Sequence, residues 1–196
     1  MDLDFVTVYH CETNRVQAEE LGVKLVKFGE VDFSYTTVDN RYENRGFGPA
    51  CNLGASAGSA PVIMLLNPDV EVHGLFMRQV VDLFTQYAGV VIAGENFGKP
   101  AWEHRLWGVD DWVCGAAMAV RRSWWEANGG FDVTYKWGWE ETDLIRRAAY
   151  QRKAVRVISL PMTHRSPVAD STEDKEYKQH HFDIGAAYFR RKWGLA

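Results

Sequence analysis

Three carboxylates stand within four residues at Glu140-Glu141-Thr142-Asp143, directly after Trp137-Gly138-Trp139. Like charges held close in a partly apolar setting raise one another's pKa, which suits one of them to take a proton from a hydroxyl. The same residues suit the first turn of a helix, where acidic side chains complement the dipole, and Leu144 to Tyr150 continues as a helix. This segment by itself leaves both readings open. Other polar groups sit where the chain leaves an apolar run: Asn67-Pro68-Asp69 after Val62 to Leu66, Asp39-Asn40 after Phe33 to Val38, and His164 after Val155 to Leu160.

The chain has 196 residues, enough for one well-buried core and too few for two ordinary domains, so a single domain over 1–196 is expected. Eight tryptophans, eight tyrosines and ten phenylalanines make it aromatic-rich, which fits sugar or base stacking as well as a heavy core. A net charge of −4 argues against broad nucleic-acid binding, although Arg121-Arg122, Arg146-Arg147 and Arg190-Arg191-Lys192 are local basic clusters. Cys11, Cys51 and Cys114 are odd in number and lack metal-ligand spacing, so free thiols and a reducing compartment are expected. The N-terminus lacks the pattern of a signal peptide and no apolar run approaches a membrane span, so a cytoplasmic protein without a transmembrane segment is expected.

Strands and helices alternate along the sequence. Phe5 to Tyr9 reads as a strand, 14–28 as a helix weakened by Gly22, and Phe33 to Asp39 as a second strand. The glycine-rich turn Arg45 to Gly48 leads into a small-residue helix at 50–57. Val62 to Leu66 is apolar throughout, as in a strand covered on both faces, and it stops at Asn67-Pro68-Asp69. In open α/β sheets ligands bind beyond such carboxyl ends. A helix at 75–87, a strand at 90–93, an aromatic loop at 96–112 that could wall a substrate, and a strand at 113–120 follow. The spacing then predicts a helix at 123–128 and a last strand at 155–160. Phe182, Ala186, Phe189 and Trp193 recur at helical spacing in a C-terminal helix that packs back on the body.

Taken in order, Val38-Asp39-Asn40, Asn44-Arg45-Gly46-Phe47-Gly48 with Asn52, Leu66-Asn67-Pro68-Asp69, Gly129-Gly130-Phe131-Asp132, Glu140-Glu141-Thr142-Asp143-Leu144 and His164 resemble the GT-A glycosyltransferases. The resemblance is to the inverting, rhamnosyltransferase-like type of family two. Trp137-Gly138-Trp139-Glu140-Glu141 is also similar to the Trp-Gly-Gly-Glu-Asp stretch of galactosyltransferase-type enzymes. It implies an α/β chain of GT-A fold with a mixed, mostly parallel sheet. It also implies a metal-dependent transferase, hexosyl or pentosyl, moving a sugar from a nucleotide-sugar donor to an acceptor hydroxyl. In this resemblance Asp69 and His164 hold Mn²⁺ or Mg²⁺, and Asp39, Asn40, Arg45, Gly46, Asn52 and Asn67 surround the donor. Glu141 stands where the family carries its general base, Glu140 keeps the family's glutamate, and Asp143 braces the helix. Trp137 and Trp139 are placed either to stack on the acceptor or to pack in the core.

Two departures bear on the donor. Only Arg41-Tyr42-Glu43 separates the Val-Asp-Asn strand from Asn44, far shorter than in the family, which implies a minimal nucleoside pocket. The family's Tyr-Asn-Arg turn after the first strand is replaced by Tyr9-His10-Cys11-Glu12-Thr13-Asn14-Arg15. The acceptor is left open among a glycan, a protein, a lipid-linked sugar and a modified nucleobase. The competing reading from another class is a non-catalytic protein that binds carbohydrate or nucleotide-sugar through its aromatics. A sugar-nucleotide pyrophosphorylase is disfavoured, because Val6 to Arg15 lacks a glycine-rich phosphate loop.

Overall fold

Val62-Ile63-Met64-Leu65-Leu66 is apolar at every position because its strand is buried on both faces, every residue being almost inaccessible. The computed structural model describes residues 2–98, 108–109, 111–165 and 172–195. In chain order its first elements are β1 (Leu3–Tyr9), α1 (Glu12–Lys27), β2 (Phe33–Asp39), α2 (Phe47–Ser56), β3 (Val62–Leu66), β4 (Val70–Val72) and α3 (Met77–Gln86). They are followed by β5 (Val90–Gly94), β6 (Ala117–Arg121), α4 (Arg122–Ala127), α5 (Glu140–Tyr150), β7 (Ala154–Val157), β8 (Met162–His164) and α6 (Thr172–Trp193). Six strands form one sheet in the order β2-β1-β3-β6-β5-β7, while β4 and β8 form a separate ribbon. Strand β1 runs parallel to β2 and β3, and β5 runs parallel to β7, with β6 inserted antiparallel between β3 and β5. Among the described residues no helix is long and apolar enough to cross a membrane.

The helix weakened by Gly22 forms, and the glycine has a packing role. A Cβ there would lie 2.8 Å from the Tyr35 ring, so Gly22 lets α1 settle against β2. Two expected strands, at 113–120 and 155–160, are displaced for identifiable reasons, and a further strand, β8, was not expected. Val113 to Ala116 is buried, which made it look like strand, but it forms a turn in which Cys114 N–H donates to Glu95 O (2.7 Å) and Ala117 N–H to Cys114 O (3.1 Å). Strand β7 ends at Val157 because its partner β5 ends at Gly94. The last strand is β8, whose pairing with β4 rests on three residues a side, too few for any periodicity to register. Of the expected aromatic loop at 96–112, residues 99–107 and 110 lie outside the described residues.

At the amino ends of β1 and β3 a buried ion pair ties β1, α2 and α4 to the loop before β3. Asp4 Oδ2 accepts from Arg122 Nη2 and from Ala60 N–H, both at 2.7 Å. Arg122 also donates to Ala60 O (2.6 Å) and Ala55 O (2.8 Å), so the charges are matched by hydrogen bonds on every side the fold offers.

The C-terminal helix is held by a second buried carboxylate. Asp143, fully buried on α5, accepts from Arg147 Nε (3.0 Å), Lys192 Nζ (2.8 Å) and Trp193 Nε1 (2.9 Å), and Tyr135 Oη donates to it at 3.3 Å. Asp132 reinforces the clasp by accepting from Lys192 Nζ (2.8 Å) and Tyr188 Oη (2.9 Å). Around it Tyr135, Trp139 and Phe189 form a small apolar cluster of their own. Asp143→Asn removes the charge facing Lys192 and Arg147, which retain some access to water. We expect a loss of about 2–4 kcal/mol, read by denaturant unfolding, with an unchanged cost of unfolding excluding the clasp.

Candidate functional site

Strand β3 ends at Leu66, and the chain turns at once. Asn67 N–H donates to Ala116 O at 2.9 Å and Asn67 O accepts from Val70 N–H at 3.1 Å, leaving Pro68 and Asp69 at the tip. The β4–β8 ribbon sets Val70 opposite His164, and Arg165 N–H donates to Asp69 O at 3.0 Å. Short as it is, this pairing brings the two side chains together: Asp69 Oδ1 lies 3.2 Å from His164 Nε2. The contact is not aligned as a hydrogen bond, and Asp69 Oδ1 is buried with no hydrogen-bond donor among the described residues. Such an orphaned acceptor costs roughly 1–3 kcal/mol, which a bound cation relieves. The ribbon is fixed from behind by Glu71, which accepts from Lys24 (3.1 Å) and Arg165 (3.0 Å), contacts that hold its carboxyl down to about 2.

The adjacent carboxylates Glu140 and Glu141 have different surroundings. Trp139, at the amino end of α5, takes a left-handed φ of 75°, a conformation costing an aromatic residue roughly 1–3 kcal/mol. Its ring is held by Phe182 and Phe189, with centroids at 5.4 and 5.1 Å, and its Nε1 donates to Phe182 O at 3.1 Å. The helix thus starts at a fixed angle. Glu140 turns inward over α2, where a Cβ on Gly48 would lie 3.2 Å from Glu140 Cγ. It is 1% exposed, its Oε1 has no hydrogen-bond partner among the described residues, and burial, then the charge of Glu141, push its carboxyl up to about 8. Glu141 is half-buried and faces the turn before β6, its Cβ and Cδ each 3.8 Å from where a Cβ on Gly115 would stand. Gly115 adjoins Ala116, the residue that accepts from Asn67. Glu141 and Asp69 therefore flank the same carboxyl edge of the sheet.

The residues expected around the donor are less open. Asp39 ends β2, but both its oxygens accept from Arg41, through Nε (3.0 Å), Nη2 (2.7 Å) and backbone N–H (3.0 Å), which hold its carboxyl down to about 2. Arg41 also bonds Glu12 and lies 5.4 Å from the Tyr9 ring and 5.2 Å from the Tyr42 ring. A base or ribose reaching Asp39 must share it with Arg41, a residue the motif reading passed over. Its signal was present, an arginine two places after a strand-ending aspartate, where the side chain folds back on the turn.

Asn40 is buried and holds its own loop, accepting from Arg45 N–H at 2.9 Å with Nδ2 3.5 Å from Gly46 O. Gly46 has a φ of 91° and approaches the chain at Lys136, whose carbonyl oxygen would lie 2.9 Å from an added Cβ. Arg45 pairs with Glu43. Asn52 uses both amide atoms on Phe131, accepting from its N–H and donating to its O, each at 2.9 Å. These four residues brace the loops around the edge. Of the tryptophans, Trp139 is core, whereas Trp137 is half-buried beside His10 at the end of β1.

No family model matches the chain, and no curated protein sequence matches it. Solved structures do. The catalytic domain of Drosophila β1,4-galactosyltransferase 7, in complex with xylobiose, superposes with a TM-score of 0.61 at 14% identity, covering 91% of this chain and 79% of that one. Glucosyl-3-phosphoglycerate synthase from Mycobacterium tuberculosis, in complex with Mn²⁺, uridine diphosphate and phosphoglyceric acid, gives 0.63 at 13% identity over 96% and 78%. S. aureus TarS in complex with UDP gives 0.64 at 11% identity over 94% of this chain and 65% of that one. What is shared at such identities is the fold, and the chain has the GT-A fold, with a mixed six-stranded sheet flanked by helices.

The buried Glu140 makes stability depend on pH with a definite sign. Its folded pKa lies above the unfolded value, so its contribution is fully present below about pH 4.5 and is lost as pH rises towards 8. Glu140→Gln keeps the shape of the neutral acid and cannot ionise. Thermal melts should show wild type and variant alike near pH 4.5, with the variant melting progressively higher up to pH 8 and the gap constant beyond; a gap independent of pH would contradict the burial of a neutral acid.

Proposed function

We propose that the chain is a metal-dependent glycosyltransferase that moves a sugar from a nucleotide-sugar donor to an acceptor hydroxyl with inversion. The observation carrying this reading is the pairing of a buried Asp69 oxygen, without a donor among the described residues, with His164 on the edge that Glu141 also flanks. Drosophila β1,4-galactosyltransferase 7 is reported with manganese, UDP-Gal and xylobiose, and the mycobacterial synthase with Mn²⁺ and UDP-glucose, which supports the same chemistry on this fold.

The donor set fits a divalent ion. Among the described residues no three His, Cys, Asp or Glu side chains converge, so Asp69 and His164 would hold the ion with phosphate oxygens and water completing its shell. The imidazole nitrogen favours Mn²⁺ over Mg²⁺, which prefers oxygen. When bound, the ion neutralises charge on the leaving diphosphate. The protein's own part is to set the acceptor. Glu141 accepts the proton of the acceptor hydroxyl as that oxygen bonds to the anomeric carbon, on the face opposite the breaking bond to the diphosphate. The products are the glycosylated acceptor, of inverted configuration, and the nucleoside diphosphate. Glu140 is unsuited to this role, since it is inaccessible and neutral at pH 7. The turns built by Asn40 and Asn52 keep the loops in place, and Asp39 with Arg41 sits where the nucleoside would enter.

Calorimetry should find UDP binding to the wild type strengthened by Mn²⁺ and weakened by chelator. Asp69→Ala should remove that dependence, losing at least the roughly 10–100-fold that outer partners of a metal site are worth. Equal affinity in Mn²⁺ and in chelator would overturn the metal assignment.

Glu141→Gln should retain UDP and Mn²⁺ binding but lower transfer roughly 10²–10⁴-fold, the worth of a positioned acid-base group. Turnover would be followed by nucleotide release. Full activity in Glu141→Gln with an inactive, folded Glu140→Gln would move the base one residue back.

A further inference from the structure

The His164 imidazole needs a fixed direction if it is to share an ion with Asp69, and Asp69 does not supply it. The contact of Asp69 Oδ1 with His164 Nε2 at 3.2 Å is not aligned as a hydrogen bond, and the last torsion of a histidine is broad. The ring meets Phe97 instead, with centroids 5.2 Å apart and planes tilted by 39°. Phe97 is partly buried against the main core and takes a left-handed φ of 51°. That conformation suits asparagine or glycine and strains an aromatic residue, and such strain collects where a side chain has to be held in one place. The turn that imposes it is built by its neighbours: Gly98 N–H donates to Asn96 Oδ1 at 3.0 Å, and Gly98 has a φ of 73°. The same segment grips the backbone that leads to His164. Ile158 N–H donates to Gly94 O at 2.9 Å, and Glu95 Oε1 accepts from Leu160 N–H just before β8.

The end of β5 thus fixes the chain entering β8 through Glu95 and the ring at the end of β8 through Phe97. A leucine in place of Phe97 would fill similar apolar space, and an asparagine would take the same backbone conformation with less strain, but neither offers a flat partner to an imidazole. We propose that Phe97 is a positioning residue: it holds the His164 ring towards Asp69 and so sets how strongly the two residues bind a divalent ion. The inference rests on the metal-dependent reading, since it takes Asp69 and His164 to be the ligands of that ion. Phe97 does not touch the ion; it removes in advance a rotational freedom that ion binding would otherwise have to remove.

The test measures the ring first and the ion second. In metal-free protein with selectively labelled histidine, carbon relaxation of the His164 ring, assigned from His164→Gln, should give an order parameter near about 0.85 in wild type and Phe97→Tyr and below about 0.6 in Phe97→Leu and Phe97→Asn. Calorimetry of UDP then reads the consequence. The strengthening by Mn²⁺ should shrink roughly three- to tenfold in Phe97→Leu and Phe97→Asn, the worth of one aromatic contact. Phe97→Tyr should retain it, and all variants should bind UDP alike in chelator. An unaltered ring order parameter or an unaltered Mn²⁺ response in the variants without an aromatic ring overturns the proposal, as does a Phe97→Tyr variant that behaves like Phe97→Leu or a loss of UDP affinity as large in chelator as in Mn²⁺. The wild type separates the two ideas: UDP affinity that ignores Mn²⁺ removes the metal assignment and this inference with it, whereas affinity that responds to Mn²⁺ equally in wild type and Phe97→Leu removes only this inference.

Discussion

The arrangement of the candidate site depends on one buried carboxylate at the start of α5. Asp143, fully buried, gathers Arg147, Lys192, Trp193 and Tyr135 and so sets the rotation of α5 about its axis. A helix advances about 100° per residue, so fixing Asp143 on the face towards α6 also fixes where Glu140 and Glu141 point. Glu140 is directed down onto α2, and Glu141 onto the turn before β6. The strained start at Trp139 is the same constraint seen from the backbone. Its left-handed conformation is tolerated because the ring is buried between Phe182 and Phe189.

This placement separates two chemically similar neighbours by environment. Taking a carboxylate out of water favours its neutral form, and a second negative charge nearby adds to that preference. Glu140 experiences both effects and stays protonated at neutral pH, while Glu141 keeps contact with the solvent-facing edge. A neutral Glu140 also spares Glu141 the repulsion of a second full charge at close range. In the proposed function the pair would act as one base beside one buried acid.

The two ends of the sheet are built on different principles. At the amino end, Asp4 and Arg122 are enclosed and have hydrogen bonds to backbone as well as to each other, an arrangement that joins β1, α2 and α4. At the carboxyl end, polar groups are left short of partners: Asp69 Oδ1 and Glu140 Oε1 are both buried acceptors without donors among the described residues. In the proposed function the Asp69 oxygen is one that a bound cation would satisfy.

Much of this was legible along the chain, because strand and helix leave local periodic signals. The apolar run Val62 to Leu66, the order of strands and helices, and the stripe Phe182, Ala186, Phe189, Trp193 are set by local pattern, and they determined the fold class and the polar residues that lie at strand ends. Pattern failed where burial and secondary structure part company. Val113 to Ala116 is buried yet forms a turn, and Val70 to Val72 is a strand too short to show a period. Contacts between residues distant in sequence were decided only by the tertiary structure. Asp69 and His164 are 95 positions apart and meet because β4 pairs with β8. Asn52 closes on Phe131, and Arg41 pairs with Asp39, partners that no local pattern announces. Residue type determines what a side chain can do; which of those possibilities it keeps depends on which partners the fold brings within 3 Å of it.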